Sequence, residues 1–216
     1  MINIQKQQDL FIKIARSFSK KVTVYAIGGT SMMLQGLKAE TLDIDLVFME
    51  ENERQFFKET LDSLNYKEED AHILYGARPH TPLVVTIENA RIDLFSRNVL
   101  GVQFSDAMVA RAQQLHQFGD TLFVYLANPN DILIMKSATE RAKDENDVVA
   151  LLKSNSIKWD ILVQEAESQV SLGNEAAILR LGHLLERLHN KGMFPVPQEI
   201  LDKLWSLLQK QVKRKK

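Results

Sequence analysis

The sequence contains no cysteine, and none of its apolar runs approaches the roughly 20 residues that a membrane-spanning helix needs. The missing cysteines exclude disulfides and thiolate metal sites, which leaves carboxylates and five histidines as the strong metal ligands. The N-terminal segment, MINIQKQQDLFIKIARSFSKK, mixes charged with apolar residues, unlike a secretory leader. We therefore expect a cytoplasmic protein with no membrane partner, in which carboxylates are the first candidates for chemistry.

The sequence has almost no excess charge of either sign, because 27 basic and 28 acidic residues leave a net charge of −1. The balance is nevertheless uneven along the chain, since the last ten residues, LLQKQVKRKK, carry only basic charges. A basic end of this kind is typical either of a solubilising tail or of a contact with nucleic acid. Charge alone therefore does not choose a partner.

The periodicity of the apolar residues changes near Ala127. Before this point the segments VTVYAI, LDIDLVF, TLFVYLA and the two halves of PLVVTIENARIDLFS predict strands, with helices between them, including one over Ser105 to Gln114. The two halves of PLVVTIENARIDLFS predict a hairpin with its turn at Glu88-Asn89-Ala90. After it the sequence predicts only helices, the first of which begins at Pro129 behind an asparagine cap. We predict an α+β fold, a mixed sheet with flanking helices followed by a helical C-terminal half, in two domains at residues 1–127 and 128–216.

Two aspartates interrupt one of these predicted strands. In LDIDLVF, Asp43 and Asp45 lie on the face opposite Ile44 and Leu46, and side chains two residues apart lie about 6.6 Å apart along a strand. Carboxylates this close repel each other unless a divalent cation lies between them. A third aspartate, Asp93 in RIDLF, is flanked by apolar residues in a later strand. Two such ions roughly 4 Å apart activate a hydroxyl and neutralise a leaving pyrophosphate.

A glycine pair follows the first predicted strand. Gly28 and Gly29 predict a turn that leads into a short helix, where backbone N–H groups and the hydroxyls of Thr30 and Ser31 are potential donors to phosphate oxygens. By itself a glycine pair is as readily a tight turn, and alternating aspartates are as readily a solvent-facing edge. The order of the turn, the paired acids and the third acid favours a phosphate and metal site.

The segments IGGTS, TLDIDLVF and RIDLF resemble the nucleotidyltransferase superfamily, whose fold is polymerase-beta-like. In that superfamily the glycine turn contacts the nucleotide phosphates, all three acids bind Mg²⁺ or Mn²⁺, and the third acid is also the base toward the acceptor hydroxyl. The resemblance implies an NTP substrate and a nucleotidyltransferase-like sheet. It implies catalytic and metal-binding roles for Asp43, Asp45 and Asp93, and nucleotide-binding roles for Gly28, Gly29, Thr30 and Ser31.

A narrower resemblance links NDILIMKSATERAKDENDVVALL to the abortive-infection and toxin–antitoxin nucleotidyltransferases and to related prokaryotic proteins. It implies a cognate antitoxin as a partner and further nucleotide-binding roles for Lys136, Lys143, Asp144 and Asp147, with Arg141 nearby. Lys136 follows an apolar run, so a buried ammonium there needs an anionic partner such as a phosphate. Lys143 and Asp147 are equally suited to an ordinary i,i+4 helix pair.

One departure from the toxin group concerns an arginine that many of its members carry two residues before the Thr of Thr-x-Asp-Ile-Asp. That position is Ala39 here, with Lys38 beside it. The favoured function is transfer of an NMP from an NTP to a hydroxyl of RNA, protein or a small molecule. The alternatives are a non-catalytic nucleotide-binding or partner-binding regulatory module and a purely structural protein. In the latter the three aspartates would be scattered over exposed faces.

Overall fold

A seven-stranded mixed sheet forms the centre of the N-terminal part of the chain in this computed structural model. The strands of the described chain are β1 (Ile2–Asn3), β2 (Val22–Ala26), β3 (Glu40–Thr41), β4 (Asp43–Val47), β5 (Lys67–Glu69), β6 (Leu83–Ile87), β7 (Ala90–Phe95), β8 (Asn98–Val99), β9 (Val102–Gln103), β10 (Gln114–Phe118) and β11 (Leu122–Leu126). The seven strands of this sheet lie in the order β10-β11-β2-β4-β7-β6-β5, with β11 parallel to β2, β4 parallel to β7, and the other neighbours antiparallel.

The structure describes residues 1–139, 142–154 and 156–214, with the side chains of 142–143 and 210–214 left outside the description. The helices in this part of the chain are α1 (Ile4–Ala15), α2 (Gly28–Leu34), α3 (Glu51–Thr60) with a 3-10 turn at Leu61–Leu64, α4 (Ala71–Tyr75), α5 (Asp106–Arg111), α6 (Pro129–Ser137), α7 (Ala142–Lys153), α8 (Trp159–Ser171), α9 (Glu175–Asn190) and α10 (Gln198–Arg214). The predicted α+β class with a helical C-terminal half is confirmed.

The described chain divides into two compact units. The sheet unit comprises Met1–Leu100 and Phe104–Asn128, and the helical unit comprises Gly101–Gln103 and the described residues of Pro129–Lys216. The assignment of residues 1–127 to a catalytic domain and 128–216 to a helical domain stays a prediction.

The alternation in LDIDLVF determines which face of β4 is buried in the core of the sheet unit. Ile44, Leu46 and Phe48 are fully buried, and Phe48 meets Phe57 of α3 with ring centroids 5.1 Å apart. The aspartates lie on the opposite face, as alternation requires. Leu42 is 53% exposed because the strand begins one residue later, at Asp43.

The hairpin predicted around Glu88 and Asn89 is confirmed. These two residues form the turn between β6 and β7, and both have positive φ, 50° and 64°. A two-residue turn with both central residues in this region matches the twist of the strands that it joins. It fixes the register of β7, the strand that carries Asp93.

The helix predicted over Ser105 to Gln114 is confirmed except for its last three residues. Helix α5 ends at Arg111, and Gln114 instead begins β10, an edge strand antiparallel to β11. The sequence of β10, QLHQF, buries only Phe118 and so lacks the alternation of a half-buried strand. Its pairing with β11 decides its conformation, and that contact is not encoded in the local pattern.

In the helical unit, α6 is buried around its whole circumference, from Asn130 to Ser137. Helices α8 and α9 each pack an apolar face in the same unit, and α9 buries Ile178, Leu181 and Leu185. None of the helices in the described residues combines the length and the apolar character needed to cross a membrane.

Candidate active site

The three aspartates come together on one face of the sheet. Strands β4 and β7 are parallel neighbours, and their register sets Asp45 beside Asp93 and Asp43 beside Arg91. One oxygen of each carboxylate lies within 4.8 Å of those of the other two. Asp93 is fully buried, Asp43 is 7% exposed and Asp45 is half-buried. The cluster therefore unites the three residues that the sequence places on two separate strands.

The donor set suits a hard divalent cation. Carboxylate oxygens around Mg²⁺ at about 2.1 Å lie within about 4.2 Å of each other, so the observed spacing needs only small side-chain rotations. Asp93 Oδ1 is buried and has no hydrogen-bond partner among the described residues. An unpaired buried oxygen in a native structure calls for an explanation, and a cation or a substrate hydroxyl supplies one.

Two side chains that sequence reasoning missed hold the other oxygen of Asp93. Arg91 Nη2 donates to Asp93 Oδ2 at 3.1 Å and also to Asp43 Oδ2, and the Tyr75 hydroxyl donates to Asp93 Oδ2. Arg91 could have been found, because it lies two residues before Asp93 and so shares its face of β7. Tyr75 carried no such signal, since its segment has no clear periodicity.

Burial and charge act in opposite directions on these groups. Burial raises the pKa of Asp93 to about 6, although Arg91 and the Tyr75 hydrogen bond pull it down. Burial lowers the pKa of Arg91, but the carboxylates of Asp93 and Asp43 more than reverse this, so its pKa is raised overall. Burial, with the charges of Asp45 and Asp93, also raises the pKa of Tyr75, so this phenol keeps its proton. Arg91 is thus an internal counter-ion for the acidic cluster.

Replacing Arg91 with methionine is expected to lower the free energy of unfolding by about 2 kcal/mol in the absence of divalent cations. This is below the roughly 3–5 kcal/mol of a fully buried pair, because the Arg91 side chain is 23% exposed. Urea denaturation with and without Mg²⁺ measures it, and Mg²⁺ should recover part of the loss by replacing the missing positive charge. An unchanged urea midpoint would show that Arg91 does not neutralise the cluster.

The glycine pair lies directly against Asp45 of the cluster and Thr41 of β3. Gly28 has φ of +54°, and a Cβ there would lie 2.6 Å from Asp45 Oδ2. A Cβ on Gly29 would lie 2.3 Å from Thr41 Oγ1 and 3.9 Å from Lys38 Nζ. Neighbouring side chains lie too close to both positions to admit a Cβ, so both positions require glycine. The two glycines belong to the first turn of α2 rather than to a separate turn before it. Lys38 brings a positive charge to this turn.

Replacing Gly29 with alanine is expected to lower the free energy of unfolding by about 1–3 kcal/mol, because the new methyl group overlaps the Thr41 hydroxyl. The second change Thr41→Ala removes that oxygen but leaves a contact of 3.1 Å to the Thr41 Cβ. It should therefore restore part of the loss, whereas Thr41→Ala alone should cost less than Gly29→Ala. Urea melts of the two single variants and the double variant test this, and additive losses would contradict it.

The hydroxyls of Thr30 and Ser31, which follow the glycines, form hydrogen bonds with backbone groups of the protein. Thr30 is fully buried, and its Oγ1 accepts a hydrogen bond of 2.8 Å from the Asp45 N–H. Ser31 is also fully buried, and its Oγ donates to the Ala127 carbonyl at 3.2 Å. In this structure both hydroxyls are thus used to fix α2 against the sheet. Their predicted role as donors to phosphate stays untested.

Four of the predicted nucleotide-binding residues belong to the helical unit. Lys136 is 8% exposed, and its Nζ donates to Asp144 Oδ1 at 3.2 Å and to Asp147 Oδ2 at 2.6 Å. Burial lowers the pKa of Lys136, but the two carboxylates raise it by more. The anionic partners of this buried ammonium are therefore aspartates of its own unit. Lys143 lies in α7 with its side chain outside the described part of the chain, and Arg141 lies outside the described residues altogether.

Comparison with known protein families identifies the class of this protein as the nucleotidyltransferases. The sequence matches a family model described as nucleotidyltransferase of unknown function (DUF6036) over residues 6–180. The chain belongs to this family of transferase enzymes. The assignment confirms the superfamily predicted from the glycine turn and the three aspartates. The narrower resemblance to the abortive-infection toxins stays a prediction.

Two matching structures are of ANT(2'')-Ia. Its crystal structure in complex with adenylyl-2''-tobramycin is 14% identical, with 84% of this chain and 98% of that chain covered and a TM-score of 0.43. Its solution structure is also 14% identical, with 83% and 96% covered and a TM-score of 0.47. At these values neither match bears on the acceptor of this chain. Comparison with curated protein sequences gives no significant match.

Proposed function

We propose that this protein transfers a nucleoside monophosphate from an NTP to a hydroxyl acceptor and releases pyrophosphate, with Mg²⁺ or Mn²⁺ bound by Asp43, Asp45 and Asp93. The observation that carries the proposal is the convergence of these carboxylates within 4.8 Å in a member of a nucleotidyltransferase family. Clustered hard oxygens without sulfur or nitrogen ligands favour Mg²⁺ and Mn²⁺ over zinc.

The divalent cation, when bound, neutralises phosphate charge and lowers the pKa of a coordinated hydroxyl. The protein supplies orientation. Asp93 is held by Arg91 and Tyr75 through Oδ2, which leaves Oδ1 to face both the cation and the acceptor hydroxyl. Without a bound cation its pKa of about 6 leaves Asp93 mostly ionised at neutral pH, which is the state that binds a cation and accepts a hydrogen bond from an acceptor hydroxyl.

The phosphate-binding part of the proposal involves the turn at Gly28 and Gly29. Without side chains, these residues let phosphate oxygens approach the backbone beside Asp45, within reach of the Lys38 ammonium. In this proposal Lys38 is the source of positive charge next to Ala39, the position at which many members of the toxin group carry an arginine. Thr30 and Ser31 contribute by fixing the turn, through their bonds to the backbone of Asp45 and Ala127.

The proposed nucleotide-binding role of the helical unit rests on the family resemblance. Lys136 is the centre of that group, because Asp144 and Asp147 hold its ammonium in one position. Lys143 is included on its sequence position alone. Acceptors consistent with the sequence are tRNA, protein hydroxyls and small molecules, and a cognate antitoxin is a candidate partner. We place the activity in the cytoplasm, where NTP and Mg²⁺ are supplied.

The proposal is tested by incubating the protein with each α-³²P-labelled NTP and Mg²⁺, in separate reactions with total tRNA, a cell lysate, aminoglycosides and the protein alone. Label transferred by the native chain but not by an Asp43→Asn/Asp45→Asn double variant would support the enzyme and identify its base and acceptor class. Thermal melts with NTP and Mg²⁺ run alongside. Stabilisation without transfer would favour the nucleotide-binding module. The absence of both transfer and stabilisation would overturn the proposal.

A further inference from the structure

Residues 70–81, which we term the strap, lie between β5 and β6 and are almost entirely exposed to solvent. The strap contains α4, whose Ile73 is 83% and Leu74 40% exposed. All residues of the strap are described, and among them only Tyr75 is buried. Gly76 follows with φ of +65°, so the chain turns away immediately after the tyrosine. Tyr75 is therefore the buried attachment of the strap to the sheet unit, in addition to a backbone hydrogen bond of 3.4 Å that the Leu100 N–H donates to the His80 carbonyl.

Tyr75 is held at both of its ends. Its ring packs edge-on against Phe95 of β7, with centroids 6.2 Å apart and an interplanar angle of 83°. Its hydroxyl donates to Asp93 Oδ2 on the same strand. A buried tyrosine hydroxyl needs a polar partner. Here that partner is one of the three clustered carboxylates.

The hydrogen bond makes the two oxygens of Asp93 unequal. Oδ2 accepts from the Tyr75 hydroxyl and from Arg91 Nη2, whereas Oδ1 has no partner among the described residues although it is buried. Two donors on one oxygen fix the rotation of the carboxylate. The unpaired oxygen is then held in one direction before any cation or substrate arrives. Partners of this kind orient the ligands of metal sites and tune their affinity.

We infer that Tyr75 is a positioning residue, which orients Asp93 for the divalent cation through its hydroxyl and thereby couples the strap to occupation of the site. The inference rests on the proposed function, because it takes Asp93 as a metal ligand. It concerns a segment, KEEDAHILYGARPHTPL, that carries none of the family motifs. If Tyr75 only anchored the strap by packing, its ring would suffice and its hydroxyl would be dispensable.

The variant Tyr75→Phe separates these two roles, since it keeps the ring against Phe95 and removes the hydroxyl. Mn²⁺ binding, measured by electron paramagnetic resonance of the free ion, should weaken about 10–100-fold, the usual loss when an outer partner of a metal ligand is removed. The melting temperature without metal should stay close to that of the native chain. Tyr66→Phe is the matched control, a half-buried tyrosine of the same unit, and should bind Mn²⁺ normally.

Hydrogen exchange of the strap gives a readout that packing alone would not change. Saturating Mn²⁺ should slow exchange in residues 70–81 of the native chain, and it should have little effect there in Tyr75→Phe. Mn²⁺ affinity of Tyr75→Phe within twofold of native would overturn the inference, as would tighter binding, which would make Tyr75 a competitor of the cation. Should the native chain bind no Mn²⁺, the proposed metal site itself fails, and Tyr75 has no ligand to position.

Discussion

Asp45→Asn is expected to lower the rate of nucleotidyl transfer by roughly a thousandfold or more. The change keeps the shape of the side chain but removes one of the three negative charges that lie within 4.8 Å of each other. A bound metal ion contributes several kcal/mol to stabilising the transition state, and about 1.4 kcal/mol corresponds to a factor of ten. Loss of about 4 kcal/mol of this stabilisation gives the stated factor.

Unlike the transfer rate, the thermal stability of Asp45→Asn should not fall in the absence of divalent cations. Without divalent cations, Asp45→Asn relieves repulsion with its neighbour Asp93 across β4 and β7, so its melting temperature should equal or exceed that of the native chain. With Mg²⁺ the native chain should gain stability and the variant should gain less.

The measurements are single-turnover transfer and thermal melts, each with and without Mg²⁺. Asp62→Asn is the matched control, because Asp62 is exposed in the 3-10 turn of the same unit and should change neither quantity. Transfer by Asp45→Asn at the native rate would remove Asp45 from the catalytic set. A large loss of stability in both conditions would instead identify Asp45 as a structural residue.

Lys136→Met is expected to lower the free energy of unfolding by roughly 3–5 kcal/mol, the cost of removing one partner from a buried ion pair. Lys136, Asp144 and Asp147 are each no more than 8% exposed. Methionine has a similar length but no charge, so the two carboxylates lose the ammonium that lies 2.6 Å and 3.2 Å from their oxygens. The loss comes from the two carboxylates that stay buried without a cation. The free-energy cost of such an unpaired buried charge exceeds the net stabilisation that the intact ion pair provides.

Compensating changes separate this charge effect from a packing effect. If uncompensated charge is the cause, Lys136→Met combined with Asp144→Asn and Asp147→Asn should recover part of the stability seen in urea denaturation. The matched control is Lys153→Met in the same unit, where the exposed lysine should cost no more than about 0.5 kcal/mol. Equal losses for Lys136→Met and the triple variant would contradict the charge explanation.

If Lys136 also binds the nucleotide, its replacement should weaken NTP binding as well as lower stability. Lys136→Arg keeps the positive charge, so it should retain more stability than Lys136→Met while its different head group disturbs the geometry of any phosphate contact. NTP affinity measured on this better folded variant therefore reports on binding. Native affinity in Lys136→Arg would confine Lys136 to a structural role in the helical unit.

The local sequence determined those parts of the protein that depend on periodicity. Alternation in LDIDLVF placed Asp43 and Asp45 opposite the buried Ile44 and Leu46, because side chains alternate across a strand whatever its partners are. The hairpin at Glu88 and Asn89 was similarly readable, since a two-residue turn between apolar runs has few solutions. The nucleotidyltransferase superfamily was readable as well, because its motifs are short and contiguous.

Long-range pairing decided the rest. The parallel register of β4 and β7 puts Asp45 beside Asp93, and no local pattern specifies that register. The same holds for β10, which is a strand only because β11 lies next to it. Strand pairing joins residues far apart in the chain, so its energy is invisible to a window of neighbouring residues.

The partners of the buried charges also came only from the tertiary structure. The sequence indicated that Lys136 needs an anion, but packing of α6 and α7 supplied Asp144 and Asp147. Tyr75 lies in a segment without a recognisable pattern, yet the fold brings its hydroxyl to Asp93. Sequence thus determined which residues carry the charge and which face of a strand they occupy, whereas the tertiary structure decided which groups neutralise and orient them, because those contacts form between separate elements.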